Sequence, residues 1–129
     1  MNIDQNELIY KNEVYKIQGA VFEVYREIGS VFLESVYQEC LIKEFELRSI
    51  PFVAEEKLTI KYKGKELQQT YRADFVCYNK IIIELKSSKE VLPVHSAQLI
   101  NYLKITGLRL GLLVNFGAYP KATVDRFAL

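Results

Sequence analysis

The segment Ile81-Ile82-Ile83-Glu84-Leu85-Lys86 constrains this chain more than any other. It is apolar on both faces of an extended strand except at Glu84 and Lys86, and only the middle of a sheet gives a strand two buried faces. Alternation puts Glu84 and Lys86 on one side, with Ile83 and Leu85 on the other. Upstream lies Tyr71-Arg72-Ala73-Asp74-Phe75, which reads as part of a neighbouring strand. With Tyr78-Asn79-Lys80 as a three-residue loop, Cys77 pairs with Ile81 and Asp74 falls opposite Glu84. Asn79 suits the left-handed conformation that such a loop commonly needs. Two opposed carboxylates destabilise a hairpin unless something positive lies between them.

The remaining elements follow from periodicity. Tyr10, Val14, Ile17, Val21, Val24 and Ile28 recur at spacings of 4, 3, 4, 3 and 4, one face of a helix that Gly29 ends. Leu33, Val36, Tyr37, Cys40, Leu41 and Phe45 mark a second helix over residues 33–48, stopped at Ile50-Pro51. The period then changes to 2. Leu58, Ile60 and Tyr62 alternate with Thr59 and Lys61, Lys63-Gly64-Lys65 turns, and residues 67–78 form the next strand. Pro93 opens a helix that runs to Thr106, and Gly107 closes it. Leu110 to Phe116 reads as a buried strand parallel to residues 81–86, and the tail from Ala122 to Leu129 as an edge strand, with a short helix as the other reading. The order α-α-β-β-β-α-β-β implies one α/β domain over residues 1–129, a mixed central sheet flanked by helices.

Composition narrows the class. At 129 residues and 50% hydrophobic content, the chain has enough apolar surface for one core. No apolar run approaches the roughly 18 residues of a membrane span, and Met1-Asn2-Ile3-Asp4-Gln5-Asn6 lacks the pattern of a signal peptide. Cys40 and Cys77 lie within apparent secondary structure without metal-type spacing, as buried thiols in a reducing compartment do. These features imply a cytoplasmic protein. A net charge of +1 says nothing about nucleic-acid binding at the whole-chain level. The run Lys57, Lys61, Lys63, Lys65 and the later Lys86, Lys89, Lys104 and Arg109 are solvated charges in the plain reading, with a subset left to line a phosphate track.

Asp74 and Glu84 are the leading candidates for chemistry. A divalent cation between them, with Lys86 beside it, would resolve their conflict and suit phosphodiester hydrolysis, since Mg²⁺ prefers carboxylate and water oxygens. Lys86 lies two residues, about 6.5–7 Å, along the strand from Glu84, within reach of a bound water or a developing oxyanion. The competing reading is an exposed Glu–Lys pair and an unrelated Asp. Glu34, in the first turn of the second helix, either complements the helix dipole or delivers a further metal-site carboxylate. Tyr37 is one turn on and a candidate accessory residue. His95, Gln98 and Tyr102 form a stripe on the helix after the lysine. His95 is either a general base or a cap, and Gln98 and Tyr102 either orient water, Lys86 or a phosphate, or simply pack. No Gly-rich phosphate loop, Ser–His–Asp set or zinc-type cysteine cluster is present.

Together these residues resemble the PD-(D/E)XK nuclease superfamily, with Asp74 on one strand and Glu84-Leu85-Lys86 as the E-x-K of the next. Within it the chain is similar to the GxxExxY family. That likeness is carried by Gly29 through Glu34 to Tyr37, Tyr71 to Phe75, Ile83 to Lys86, His95 to Leu103 and Gly111 to Gly117. Gln98-x-x-x-Tyr102 resembles the helix motif of RecB-like nucleases, which supports the active site and approaches DNA. Ala73 stands where the superfamily name has proline, and the four cysteines that hold an iron–sulfur cluster in some RecB-like members are absent.

The resemblance implies a restriction-endonuclease-like core. It implies Mg²⁺ or Mn²⁺ held by Asp74, Glu84 and the Leu85 carbonyl, with Glu34 as an additional carboxylate and Lys86 activating water or stabilising charge. The expected activity is that of a metal-dependent phosphodiesterase that cleaves nucleic acid, DNA first, by a metal-activated water. The alternative is a catalytically silent nucleic-acid or protein-binding module on the same fold. The apolar face of the first helix is expected to cover the sheet, with a homodimer seam as its other use.

Overall fold

The computed structural model describes residues 9–129, so the leader reading, which rests on residues 1–6, lies outside the described residues. Helix α1 spans Lys11–Ile28 and α2 Glu34–Leu47. Strands β1 (Phe52–Tyr62), β2 (Lys65–Cys77) and β3 (Ile81–Lys86) follow. Helix α3 covers Pro93–Thr106, then come β4 (Leu110–Asn115) and β5 (Thr123–Ala128). The strands form one mixed sheet in the order β1-β2-β3-β4-β5. Only β3 and β4 are parallel, from Ile81↔Leu110 to Lys86↔Asn115. This is the expected order and a restriction-endonuclease-like α/β architecture. Among the described residues no helix is long and apolar enough to cross a membrane.

The sheet divides two cores. On one face α1 and α2 bring Val14, Ile17, Val21, Tyr37, Leu41 and Phe45 against Phe75, Cys77, Ile81, Ile83, Leu85 and Leu112. On the other, α3 alone brings Leu99 and Leu103 against Tyr71, Ala73, Val76, Ile82 and Leu113. A Cβ on Gly111 would lie 2.8 Å from the Leu99 side chain, so the glycine lets α3 approach β4. The apolar seam of α1 is buried in the first core and is not available as a dimer seam.

Both turns of the β-meander use left-handed residues. Lys63 (φ 50°) and Gly64 (φ 79°) join Tyr62 to Lys65 as a two-residue hairpin loop. Tyr78 (φ 56°) and Asn79 (φ 59°) turn the β2–β3 hairpin, with Lys80 N–H donating to the Cys77 carbonyl at 3.1 Å. Asn79 behaves as expected. The left-handed Tyr78, a strained position for a bulky residue, is held by its N–H bond to the Pro51 carbonyl at 2.9 Å. Gly29 has positive φ (76°) but ψ −154°, outside the left-handed helical well expected for it and in a region essentially reserved for glycine.

β1 begins six residues before the Leu58 at which alternation becomes visible. Glu55, with φ 57°, is the reason. Between the pairs Ala54↔Phe75 and Glu56↔Ala73, Glu55 and Asp74 face each other, and here both strands turn over. Phe52 and Ala54 pack into the first core, whereas Leu58 and Ile60 pack into the second. Likewise Phe75 and Cys77 belong to the first core, and Tyr71 and Ala73 to the second. Strict alternation would leave each set on a single face.

Candidate active site

The β2–β3 ladder runs Cys77↔Ile81, Val76↔Ile82 and Phe75↔Ile83. The next step brings Asp74 opposite Glu84, and there side chains replace backbone pairing. The Leu85 N–H donates to Asp74 Oδ2 at 2.7 Å, and the Asp74 N–H donates to Glu84 Oε1 at 3.3 Å. The face reversal at Asp74 thus opens the hairpin into a fork whose two prongs each carry a carboxylate.

Both carboxyls are partly buried, and their titration reflects it. Burial pushes Glu84 up to about 7, and the charge of Asp74 adds to the shift. Burial raises Asp74 as well, against the Leu85 N–H bond that favours its charged form, while Glu34 and Glu55 add repulsion. Lys86 acts in the opposite direction on both. Desolvation and like charge disfavour ionisation, so neighbouring, partly buried carboxylates without a cation resist carrying two negative charges.

The other expected residues separate into groups. Glu34 stands at the start of α2, exposed, and near enough for its charge to act on Asp74. It does not complete a ligand cluster. Among the described residues no three His, Cys, Asp or Glu side chains converge as a metal cage would require. Tyr37 is fully buried and not an accessory to the site surface. Its hydroxyl donates to the Gly29 carbonyl at 2.5 Å and accepts the Phe32 N–H at 3.3 Å, while its ring stacks on Phe116 at 4.2 Å. Tyr37 therefore shapes the loop that delivers Glu34, and Ser87 Oγ ties that loop to the end of β3 by donating to the Phe32 carbonyl at 2.5 Å.

His95 caps α3. Its Nδ1 accepts the Leu92 N–H at 3.2 Å, the half of a capping box that the third helical residue supplies, while its backbone N–H donates to the Leu92 carbonyl at 2.9 Å as a turn bond. That use of Nδ1, rather than contact with the carboxylates, is the role the structure gives it. Gln98 Nε2 donates to the Tyr102 hydroxyl at 3.3 Å, and the Tyr102 ring stacks on Tyr71 with centroids 3.5 Å apart and planes 8° from parallel. The Tyr71 hydroxyl donates to Glu84 Oε1. The helix stripe thus reaches the carboxylates through a residue of β2.

Three contributors escaped sequence reasoning. Tyr71 was hidden by the face reversal, since odd and even positions of one strand should not meet. Gln38 lies four residues beyond Glu34, a helical spacing that offered a signal. Its amide donates to Glu55 Oε1 at 3.0 Å and to the Asp74 carbonyl at 3.3 Å. Asn115, a lone polar residue in the apolar β4 run, is buried. Its Nδ2 donates to the Ser88 carbonyl at 2.8 Å and its Oδ1 accepts the Ser88 and Gly117 N–H groups at 3.2 and 2.9 Å. A Cβ at Gly117 would stand 2.2 Å from Ser88 N, so glycine is required for this clasp on the chain just past Lys86.

Residues 11–127 match the PD-(D/E)XK nuclease superfamily. The chain belongs to this superfamily. As a PD-(D/E)XK chain it is also similar in fold to the crystal structure of SSO0001, with a TM-score of 0.56 and 22% identity. That likeness covers 96% of this chain and 59% of the other, so the chain spans less than two thirds of that protein's length. No curated protein matches. The matched range contains the fork at Asp74 and Glu84 and the lysine after it. The donor set suits Mg²⁺, which keeps several waters and binds through one or two carboxylates.

Proposed function

We propose that this chain hydrolyses phosphodiester bonds of nucleic acid, with DNA as the first substrate to test, using Mg²⁺ or Mn²⁺ at Asp74 and Glu84. The GxxExxY branch is the finer placement that Gly29, Glu34 and Tyr37 support. The observation that carries the reading is the fork: two partly buried, mutually repelling carboxylates where the backbone ladder stops, with Lys86 lowering the pKa of each. Asp74 and Glu84 would hold the ion together with the Leu85 carbonyl. A divalent ion there supplies positive charge to a phosphate and makes a neighbouring water easier to deprotonate.

Lys86 lies next along the strand and contributes a cation toward the scissile phosphate. Glu34, which is not part of a three-carboxylate cluster, acts at longer range, through water and by its charge. Gln98 and Tyr102 present a polar helix face to the strand being cut. The free thiols Cys40 and Cys77 fit a reducing, cytoplasmic setting, and a dimer would have to form through some surface other than the buried α1 seam.

The test is a cleavage screen on linear, circular, single-stranded and branched substrates with Mg²⁺ or Mn²⁺, with Lys86→Ala as control. Metal-dependent cutting by wild type that disappears in Asp74→Ala, Glu84→Ala and Lys86→Ala is the expected result. Cutting that survives any two of these changes would sink the assignment.

A further inference from the structure

Tyr71 lies three residues before Asp74, within the second core, with only 6% of its surface exposed. Its ring is stacked on Tyr102 and its hydroxyl donates to Glu84 Oε1. The same oxygen accepts the Asp74 N–H. A carboxylate oxygen has two lone pairs, so Oε1 is fully occupied by the protein. On Asp74, Oδ2 takes the Leu85 N–H. Among the described hydrogen bonds, Glu84 Oε2 and Asp74 Oδ1 have no protein donor.

We infer that Tyr71 is a positioning residue for Glu84. Braced by the Tyr102 ring, it commits Oε1 to the protein and so presents Oε2, paired with Asp74 Oδ1, as the oxygen available to a divalent cation. The inference rests on the metal-dependent reading above. It also changes the part played by the Gln98–Tyr102 stripe. Tyr102 acts through its ring, as the wall that fixes the plane of Tyr71, and its hydroxyl is spent at the other end on Gln98. If Tyr71 were only a core filler, phenylalanine would serve as well, and its hydroxyl would have no reason to meet a partly buried carboxylate. Partners one step behind metal ligands typically set affinity by orienting the ligand.

The experiment is calorimetric titration of Mn²⁺ into the full metal-free chain, with thermal midpoints recorded with and without Mn²⁺. The variants are Tyr71→Phe, Tyr102→Ala, Tyr102→Phe and Asp74→Ala. Tyr71→Phe keeps the stacked ring and loses only the hydroxyl. It should bind Mn²⁺ about 10–100-fold more weakly at unchanged stoichiometry, with a smaller metal-induced rise in midpoint. A filler role would move the metal-free midpoint but not that increment. Tyr102→Ala should weaken Mn²⁺ in the same direction, and Tyr102→Phe should restore most of the loss.

Tyr71→Phe affinity within about twofold of wild type would overturn the inference, against the weakening expected of such partners. If the site is still lost in Asp74→Ala, the metal-dependent reading stands. A wild type that binds no Mn²⁺ would overturn both. Should Tyr71→Phe fail to fold, the Tyr102 pair decides alone. Weakening by alanine with recovery by phenylalanine supports the brace; equal affinity in the two variants overturns it.

Discussion

The two ends of the β2–β3 hairpin contain the same kinds of strand and behave in opposite ways. At the closed end, Phe75, Val76 and Cys77 pair by backbone with Ile83, Ile82 and Ile81, and every side chain is buried and apolar. At the open end, one step further, Asp74 and Glu84 replace the ladder with carboxylate-to-N–H bonds. The first arrangement lowers the free energy of the fold. The second holds charge where water is scarce, and the rest of the sheet must offset that cost. The stabilising pairs and the proposed site therefore share one hairpin, separated by a single residue pair.

The largest effect that would break this contrast belongs to the open end. Glu84→Gln and Lys86→Ala should each reduce nuclease turnover on the order of 10²–10³-fold or more, the loss expected when a preorganised electrostatic group is removed. Far-UV circular dichroism should show the fold unchanged. At the closed end Phe75→Ala should cost about 3–5 kcal/mol in chemical denaturation, because a fully buried ring leaves a cavity against Phe45 and Phe52. A Phe75→Ala protein as stable as wild type would erase the distinction.

A smaller effect sharpens the comparison through pH. Glu84 titrates at about 7 in the fold against 4.5 for an ordinary glutamate, so the folded state keeps a proton that the unfolded state releases first. Its contribution to stability is present in full below about pH 4.5 and is lost as pH rises through about 7. The raised Asp74 works in the same direction. In metal-free protein, the midpoint of Glu84→Gln should therefore gain on wild type between about pH 5 and pH 8. A constant difference over that range would show that Glu84 is not held protonated.

The smallest effect concerns a residue near neither end. His95→Ala should remove the Nδ1 bond to the Leu92 N–H at about 0.5–1.5 kcal/mol, read by chemical denaturation. A rate loss of about 10²–10⁴-fold, the size a general base carries, would instead return His95 to the catalytic group.

Much of this was legible because it depends on local pattern. The spacing of Val14, Ile17, Val21 and Val24 defines α1, the doubly apolar Ile81–Leu85 run defines a central strand, and Pro93 and Gly107 bound α3. Asp74 opposite Glu84 followed from loop length alone. The apolar stripe of the second helix meets the core at Tyr37, Leu41 and Phe45 but not at Leu33 and Val36, which are exposed, because helical spacing places a residue on a face without saying how far the next layer covers it. Tyr37 is buried against Phe116, while Glu34 in the same turn is exposed.

By itself, then, the sequence determined the element order, the mixed sheet and the pairing of two carboxylates with a lysine, since each is set by residues close in the chain or by strand register. Only the tertiary structure decided what surrounds them. The left-handed Glu55 turns β1 and β2 over at Asp74, and that reversal brings Tyr71 to Glu84 and, through the Tyr102 ring, joins α3 to the site. A backbone reversal changes which face every later side chain occupies, and alternation read along a single strand carries no record of it.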